Sequence, residues 1–174
     1  GAYIQFLRID GLNLTDPIID EESIDGPLRQ MLIRLDDKLK SHNREGVQFT
    51  QTDRETRSPD YPIVALQQLC RNAVMHRTYE ATNSPIRITW FSDRIEVSNP
   101  GGPYGIVTKD TFGKPGYSDY RNPNLAESMK VLGFVQKFGV GIETAKQALF
   151  DNGNRDVLFN IEESRILCTI WRKL

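Results

Sequence analysis

Apolar positions along this chain follow two rhythms, and each predicts a run of elements. Over residues 3–9, Tyr3, Leu7 and Ile9 alternate against Ile4, Phe6 and Arg8, a period of two that suits a strand ending at Asp10-Gly11. Leu28, Met31, Leu32, Leu35 and Leu39 then recur at helical spacing and predict a helix over 24–40, with Pro27 tolerated in its first turn. A short strand is expected over 47–52, after the turn at Glu45-Gly46. Pro59-Asp60-Tyr61-Pro62 marks the start of a second helix over 62–77, with Asp60 as its candidate cap. A hairpin follows, 86–91 and 94–98, and Asn99-Pro100-Gly101-Gly102-Pro103 cannot continue it. From 103 to 122 little periodicity survives, which reads as a long mobile loop. Helices are expected over 123–132 and 140–150, then a closing hairpin over 157–161 and 165–171. Helices interleaved with antiparallel hairpins define an α+β fold, a two-layer α/β sandwich with helices on one face of a mixed, largely antiparallel sheet.

Composition narrows this only a little. The chain has 174 residues, 39% hydrophobic and 26% charged, as a soluble globular domain does. Its formal net charge of -1 excludes a general electrostatic attraction to nucleic acid or membrane, though not a local basic patch. No run is apolar enough to span a membrane and no secretory signal opens the chain. Cys70 and Cys168 lie in apolar contexts and are expected to pack as small hydrophobes in a reducing, cytoplasmic compartment. No repeat or low-complexity tract interrupts the chain. Because it opens directly on a strand, residues 1–45 are expected to be a connecting extension from an upstream domain, and 46–174 the domain proper.

Three places carry candidate chemistry. On the helix at 62–77, Ile63, Leu66, Leu69, Cys70, Ala73 and Val74 share an apolar face. Gln68, Asn72 and His76, at i, i+4 and i+8, form a polar stripe along its border, placed to line a pocket or simply to meet solvent. Asn99 continues the face of Ile95 and Val97 to the end of its strand, and Gly101 and Gly102 permit close backbone approach to a ligand. Asn99-Pro100-Gly101-Gly102 is also good turn chemistry. Gly139-Val140-Gly141, opening the last helix, offers a phosphate cradle at a helix N-terminus, with Lys130 and Lys137 as candidate neutralising charges. There is no P-loop, because Pro115 follows Phe112-Gly113-Lys114, and His42 and His76 belong to no metal-ligand spacing. His76 is expected to pack or cap rather than catalyse.

In order, Tyr61-Pro62, Asn72-Ala73, His76-Arg77-x-Tyr79 and Arg94-Ile95-Glu96-Val97-x-Asn99-Pro100-Gly101-Gly102 resemble the C-terminal domain of Schlafen/AlbA-type transcriptional regulators. Arg121-Asn122-Pro123 and Gly139-x-Gly141-Ile142 continue the likeness, which covers 59–172 closely and 3–40 more loosely. Proteins of this kind are often labelled ATP-dependent DNA helicase-related. The domain is similar to the GHKL (Bergerat) ATPase fold of gyrase B, Hsp90, MutL and histidine kinases. The resemblance implies ATP or ADP with Mg²⁺ as ligand. It implies Asn72 as the asparagine that coordinates the magnesium, and Asn99 in the place of the aspartate that meets the adenine amino group. Gly101 and Gly102 would shape the adenine pocket, residues 103–121 would form a lid, and Gly139 and Gly141 would meet the phosphates.

Two departures bear on activity. The position of the water-activating glutamate holds Gln68, whose neutral amide accepts no proton near neutral pH, so no catalytic residue is assigned and hydrolysis should be weak or absent. A third reading, an active ATPase, would need another carboxylate near Gln68, for which Glu80 and Glu127 are candidates by elimination. Asn99 can accept a hydrogen bond through its carbonyl oxygen but without charge assistance. The expectation is a regulatory nucleotide-binding module, homo-oligomeric, meeting DNA only through an upstream domain. The competing expectation is a scaffold or oligomerisation module that has kept the fold and lost the nucleotide.

Overall fold

The computed structural model of the chain describes residues 3–49, 55–80, 82–136 and 139–174, with 46–49 and 55–57 described by their backbone alone. Six strands form the main sheet: β1 (Ile4–Ile9), β2 (Ile18–Ile24), β5 (Ile86–Trp90), β6 (Arg94–Pro100), β7 (Leu158–Ile161) and β8 (Arg165–Trp171). Their order is β2-β1-β5-β6-β8-β7. Only β1 and β5 run parallel, with Ile4 opposite Ile86; the other pairings are antiparallel. A two-stranded ribbon pairs β3 (Glu45–Phe49) with β4 (Glu55–Pro59). The helices are α1 (Leu28–His42), α2 (Ile63–His76), α3 (Pro123–Val131) and α4 (Gly141–Asn152). The fold is α+β.

Alternation along the strands selects the buried face. Ile4 and Phe6 on β1, Ile86, Ile88 and Trp90 on β5, Ile95 and Val97 on β6, and Cys168 and Ile170 on β8 join one core cluster. The apolar face of α2 (Leu66, Leu69, Cys70, Ala73, Val74) covers them, flanked by Leu32, Leu35 and Leu39 of α1 and by Ala145 and Leu149 of α4. Each fully buried leucine contributes about 1.5–3 kcal/mol relative to exposure, which is why the leucine spacing fixes the helix face. Both cysteines are buried and unbridged, and burial pushes the Cys70 thiol up to about 12. Stretch 1–45 supplies β1, β2 and α1 to this sheet and its helical layer.

Five points of the sequence reading need correction. The first helix starts at Leu28, behind Pro27 in extended conformation, and Ile24 belongs to β2. A residue preceding proline is pushed out of the helical region, so Gly26-Pro27 was the break. β2 itself was not expected, because Ile18-Ile19-Asp20-Glu21-Glu22 shows no alternation; it is an edge strand with charges along it. The strand expected over 47–52 is β3 at Glu45–Phe49; residues 50–52 lie outside the described residues. Its partner β4 contains no apolar residue and was equally invisible. Finally, Asp60 does not cap α2: Pro62 occupies that position without a side-chain cap, and the Asp60 carbonyl accepts from Lys173 N and Asn154 Nδ2 instead. Among the described residues, no helix is long and apolar enough to cross a membrane.

Candidate functional site

The polar stripe of α2 does line a pocket. Gln68, Asn72 and His76 form one wall of a cleft whose second wall is the N-terminus of α4, with Gly139, Gly141, Ile142 and Glu143. The 103–120 segment covers it through Tyr104, Phe112, Lys114, Tyr117 and Tyr120. This cover is pinned at both sides: Phe112 packs edge-on against Phe159 at 5.0 Å, and Tyr120 stacks on His76 at 5.3 Å. The open volume beneath is about 110 Å³.

Gly141 keeps α4 close to α2: a Cβ there would stand 3.1 Å from Gln68 Oε1 and press that side chain aside. Gly139, with φ +80°, adopts the left-handed turn that leads into α4. No side chain caps α4, so its leading amide groups and positive dipole end face the cleft region with only Glu143 as acidic residue in the first turn. At the other end of α2, Asn122 Nδ2 donates to the carbonyls of Met75 (3.0 Å) and Arg77 (2.7 Å), holding the last turn in place. Burial, and secondarily the nearby Arg121 charge, push the His76 imidazole down to about 4, so it is neutral near pH 7. That supports packing rather than catalysis.

Four of the six glycines and asparagines singled out in the sequence, Asn72, Gly102, Gly139 and Gly141, line the cleft; Asn99 and Gly101 do not. Asn99 sits at the end of β6 opposite Ile166, itself a lining residue, and is 5% exposed. Its Oδ1 is buried with no hydrogen-bond partner among the described residues. Gly101 and Gly102 are held by their surroundings. Gly101 N donates to Ser164 O at 2.8 Å, and a Cβ on Gly102 would collide with the backbone carbonyls of Glu162 and Glu163. Lys130 is exposed on α3 and does not line the cleft, and Lys137 lies outside the described residues. Glu80 and Glu127, the carboxylates named by elimination, are both exposed and outside the lining.

Sequence reasoning passed over Glu143 and Asp119, and weighed Lys114 only to reject a P-loop; these are the charged lining of the α4 turn and the cover. Only Glu143 carried a signal, two residues beyond the Gly-x-Gly. Among the described residues, no group of three histidine, cysteine or carboxylate side chains is arranged to hold a metal alone. Any divalent ion here would need oxygens from its ligand as well.

A mixed sheet under a helical layer, with a cleft between a polar helix stripe, a glycine-opened helix and a covering loop, defines an ATPase-like α+β domain. The chain belongs to the family described as "Putative ATP-dependent DNA helicase recG C-terminal", whose sequence profile matches residues 83–170. That span includes Asn99 and both glycine pairs; Asn72 falls before it. Among solved structures, the DIP2311 protein of Corynebacterium diphtheriae is similar, with a TM-score of 0.81 at 22% identity. The likeness covers 98% of this chain and 35% of that one, so the present chain spans about a third of that protein's length. It is a likeness of fold. A search of curated proteins returns no match.

Proposed function

We propose that the cleft binds an adenine nucleotide, ATP or ADP with Mg²⁺, and that the domain is a regulatory module with weak or absent hydrolysis. The observation that carries this is the Asn99 carboxamide: a buried acceptor without a donor among the described residues, at the end of the strand directly behind the cleft lining at Ile166. Leaving such an acceptor unpaired costs about 1–3 kcal/mol, so a site that keeps one is suited to a ligand N–H. An adenine amino group supplies that donor. Asn72 offers a neutral oxygen of the kind Mg²⁺ accepts, and the amide groups of the Gly139–Gly141 turn suit phosphate oxygens. Gln68 stands where a base would be needed and cannot take a proton, which is the reason hydrolysis is expected to be weak.

The resemblance to Schlafen/AlbA-type regulators extends the reading. The protein would be a cytoplasmic, homo-oligomeric transcriptional regulator that meets DNA through another domain, with residues 1–45 carrying the connection. Ordering of the 103–121 lid by nucleotide would change how subunits or domains associate.

A second reading, a scaffold that has lost its ligand, is favoured by the narrowness of the cleft. Its volume of about 110 Å³ is below the ~300–1,000 Å³ usual for ligand pockets. Under the first reading, the lid must move outward before nucleotide enters. Calorimetric titration with ATP, ADP and a non-hydrolysable analogue plus Mg²⁺ separates the two. Nucleotide binding predicts saturable heat that weakens at least about tenfold in Asn72→Ala. No heat with any of the three, at millimolar ligand, would leave the scaffold.

A further inference from the structure

On the sheet face turned away from the helices, a second groove of about 600 Å³ opens between the ends of β5, β6 and β8 and the segment after α2. Six side chains give it its chemistry: the guanidinium groups of Arg87, Arg121 and Arg165, and the hydroxyls of Ser84, Ser98 and Ser164. They come from four separate stretches of chain and converge only in the fold. We infer that this groove is a binding site for a phosphomonoester dianion.

The hydrogen bonding of the three arginines decides the matter. Arg165 is paired with Glu162 at 2.8 Å. Arg87 and Arg121 form no ion pair among the described residues. Arg87 Nε donates to Gln5 Oε1 at 2.8 Å, which fixes the plane of the guanidinium and leaves both terminal nitrogens for an incoming acceptor. One terminal nitrogen of Arg121 donates to Gly102 O at 3.1 Å and its guanidinium lies over the Tyr104 ring at 4.8 Å, while its Nε is buried without an acceptor among the described residues. The terminal nitrogens left over on Arg87 and Arg121 can meet an anion, and the planar fork of a guanidinium matches two phosphate oxygens at once. The Ser84, Ser98 and Ser164 hydroxyls make no hydrogen bond to another described residue, so each has a proton to donate to the remaining oxygens.

The walls are held independently of any ligand. Arg77 Nη2 donates to Ser84 O at 2.9 Å, Thr78 N to Pro100 O at 2.9 Å, and Gly101 N to Ser164 O at 2.8 Å. Such preorganisation lowers the ordering cost of binding. Glu80 and Glu163 also line the groove, and both are exposed. They oppose an anion only through solvent, where screening weakens them. Among the described residues no aromatic side chain lines the groove, which disfavours single-stranded nucleic acid, whose bases need a stacking partner. Asn72, Asn99 and the α4 N-terminus take no part in this groove; it shares Gly101, Gly102 and Arg121 with the nucleotide reading, but not that reading's ligand.

The test is an NMR titration of the ¹⁵N-labelled chain at constant ionic strength, with inorganic phosphate, O-phosphoserine and a short oligothymidylate as probes. Saturable shifts at the amides of Ser84, Ser98 and Ser164 are expected with phosphate or phosphoserine. Response to both marks the phosphate group itself as the determinant, and response to one alone identifies the free or the esterified anion as its source. Arg87→Gln, at an exposed position, should weaken the response about tenfold. Glu163→Gln should tighten it about two- to threefold, a gain that misfolding would not produce. No shifts at these amides, no effect of Arg87→Gln, or tighter binding of the oligothymidylate there than of phosphoserine would overturn the proposal.

Discussion

His76 shows how a single residue changes meaning between sequence and fold. It lies on the ligand-facing stripe of α2, yet it is stacked beneath Tyr120 and desolvated, and its imidazole is pushed down from 6.5 to about 4. The unfolded chain therefore binds a proton near pH 6.5 that the folded one refuses until about pH 4. Stability from this group is present above pH 6.5 and is lost as the pH falls toward 4. Thermal melts between pH 7 and pH 4 should show a falling midpoint whose slope is reduced in His76→Gln. An unchanged slope would mean that another group controls acid sensitivity. Asn99 teaches the converse lesson: its place at the strand end followed from a period of two, but its unpaired oxygen could not be read from sequence.

Among the elements, legibility followed the strength of periodicity. The faces of α2 and of the two hairpins were plain because apolar residues repeat and their burial dominates local energetics. β2 and β4 were not, because their pairing partners, rather than their own residues, make them strands. The cleft was half legible. Its two helical walls were marked by the Gln68–Asn72–His76 stripe and by Gly139-x-Gly141, while the side chains of the cover carry no period at all. The arginine–serine groove was illegible, since no two of its arginines are near in sequence.

Attachment of α1 to α2 offers a test at this level. Arg71 Nη2 meets Asp36 Oδ2 at 2.6 Å, with both side chains only 14–15% exposed, and the guanidinium lies over the Phe134 ring. Asp36→Ala strands a largely buried cation and should cost about 1–3 kcal/mol, read from the urea midpoint. The double variant Asp36→Ala with Arg71→Met should recover part of that loss.

For the whole molecule, the covering loop is the part whose state a ligand can change. Lys109 on it is exposed and open to trypsin, whereas the Lys114-Pro115 bond resists it. Under the proposed function, ATP with Mg²⁺ should slow cleavage within 103–121 several-fold while leaving cuts elsewhere unchanged. Equal rates with and without nucleotide would remove the loop from the binding mechanism.

One further consequence follows from the place of β1 in the sheet. It lies beside β5, and Gln5 and Arg87, which bond across that pair, are 82 residues apart in sequence. Until β5 has been made, β1 has only β2 for company, and a lone hairpin is barely stable in water. During synthesis at roughly 5–20 residues per second, Ile4 and Phe6 therefore wait several seconds for the strand that buries them. A sheet closed by its most distant partners is slow to assemble and exposed while it waits. Placing new ends in the exposed turn between β2 and α1, with residues 3 and 174 joined by a linker, would move β1 and β2 behind β8 and change the order in which the core closes.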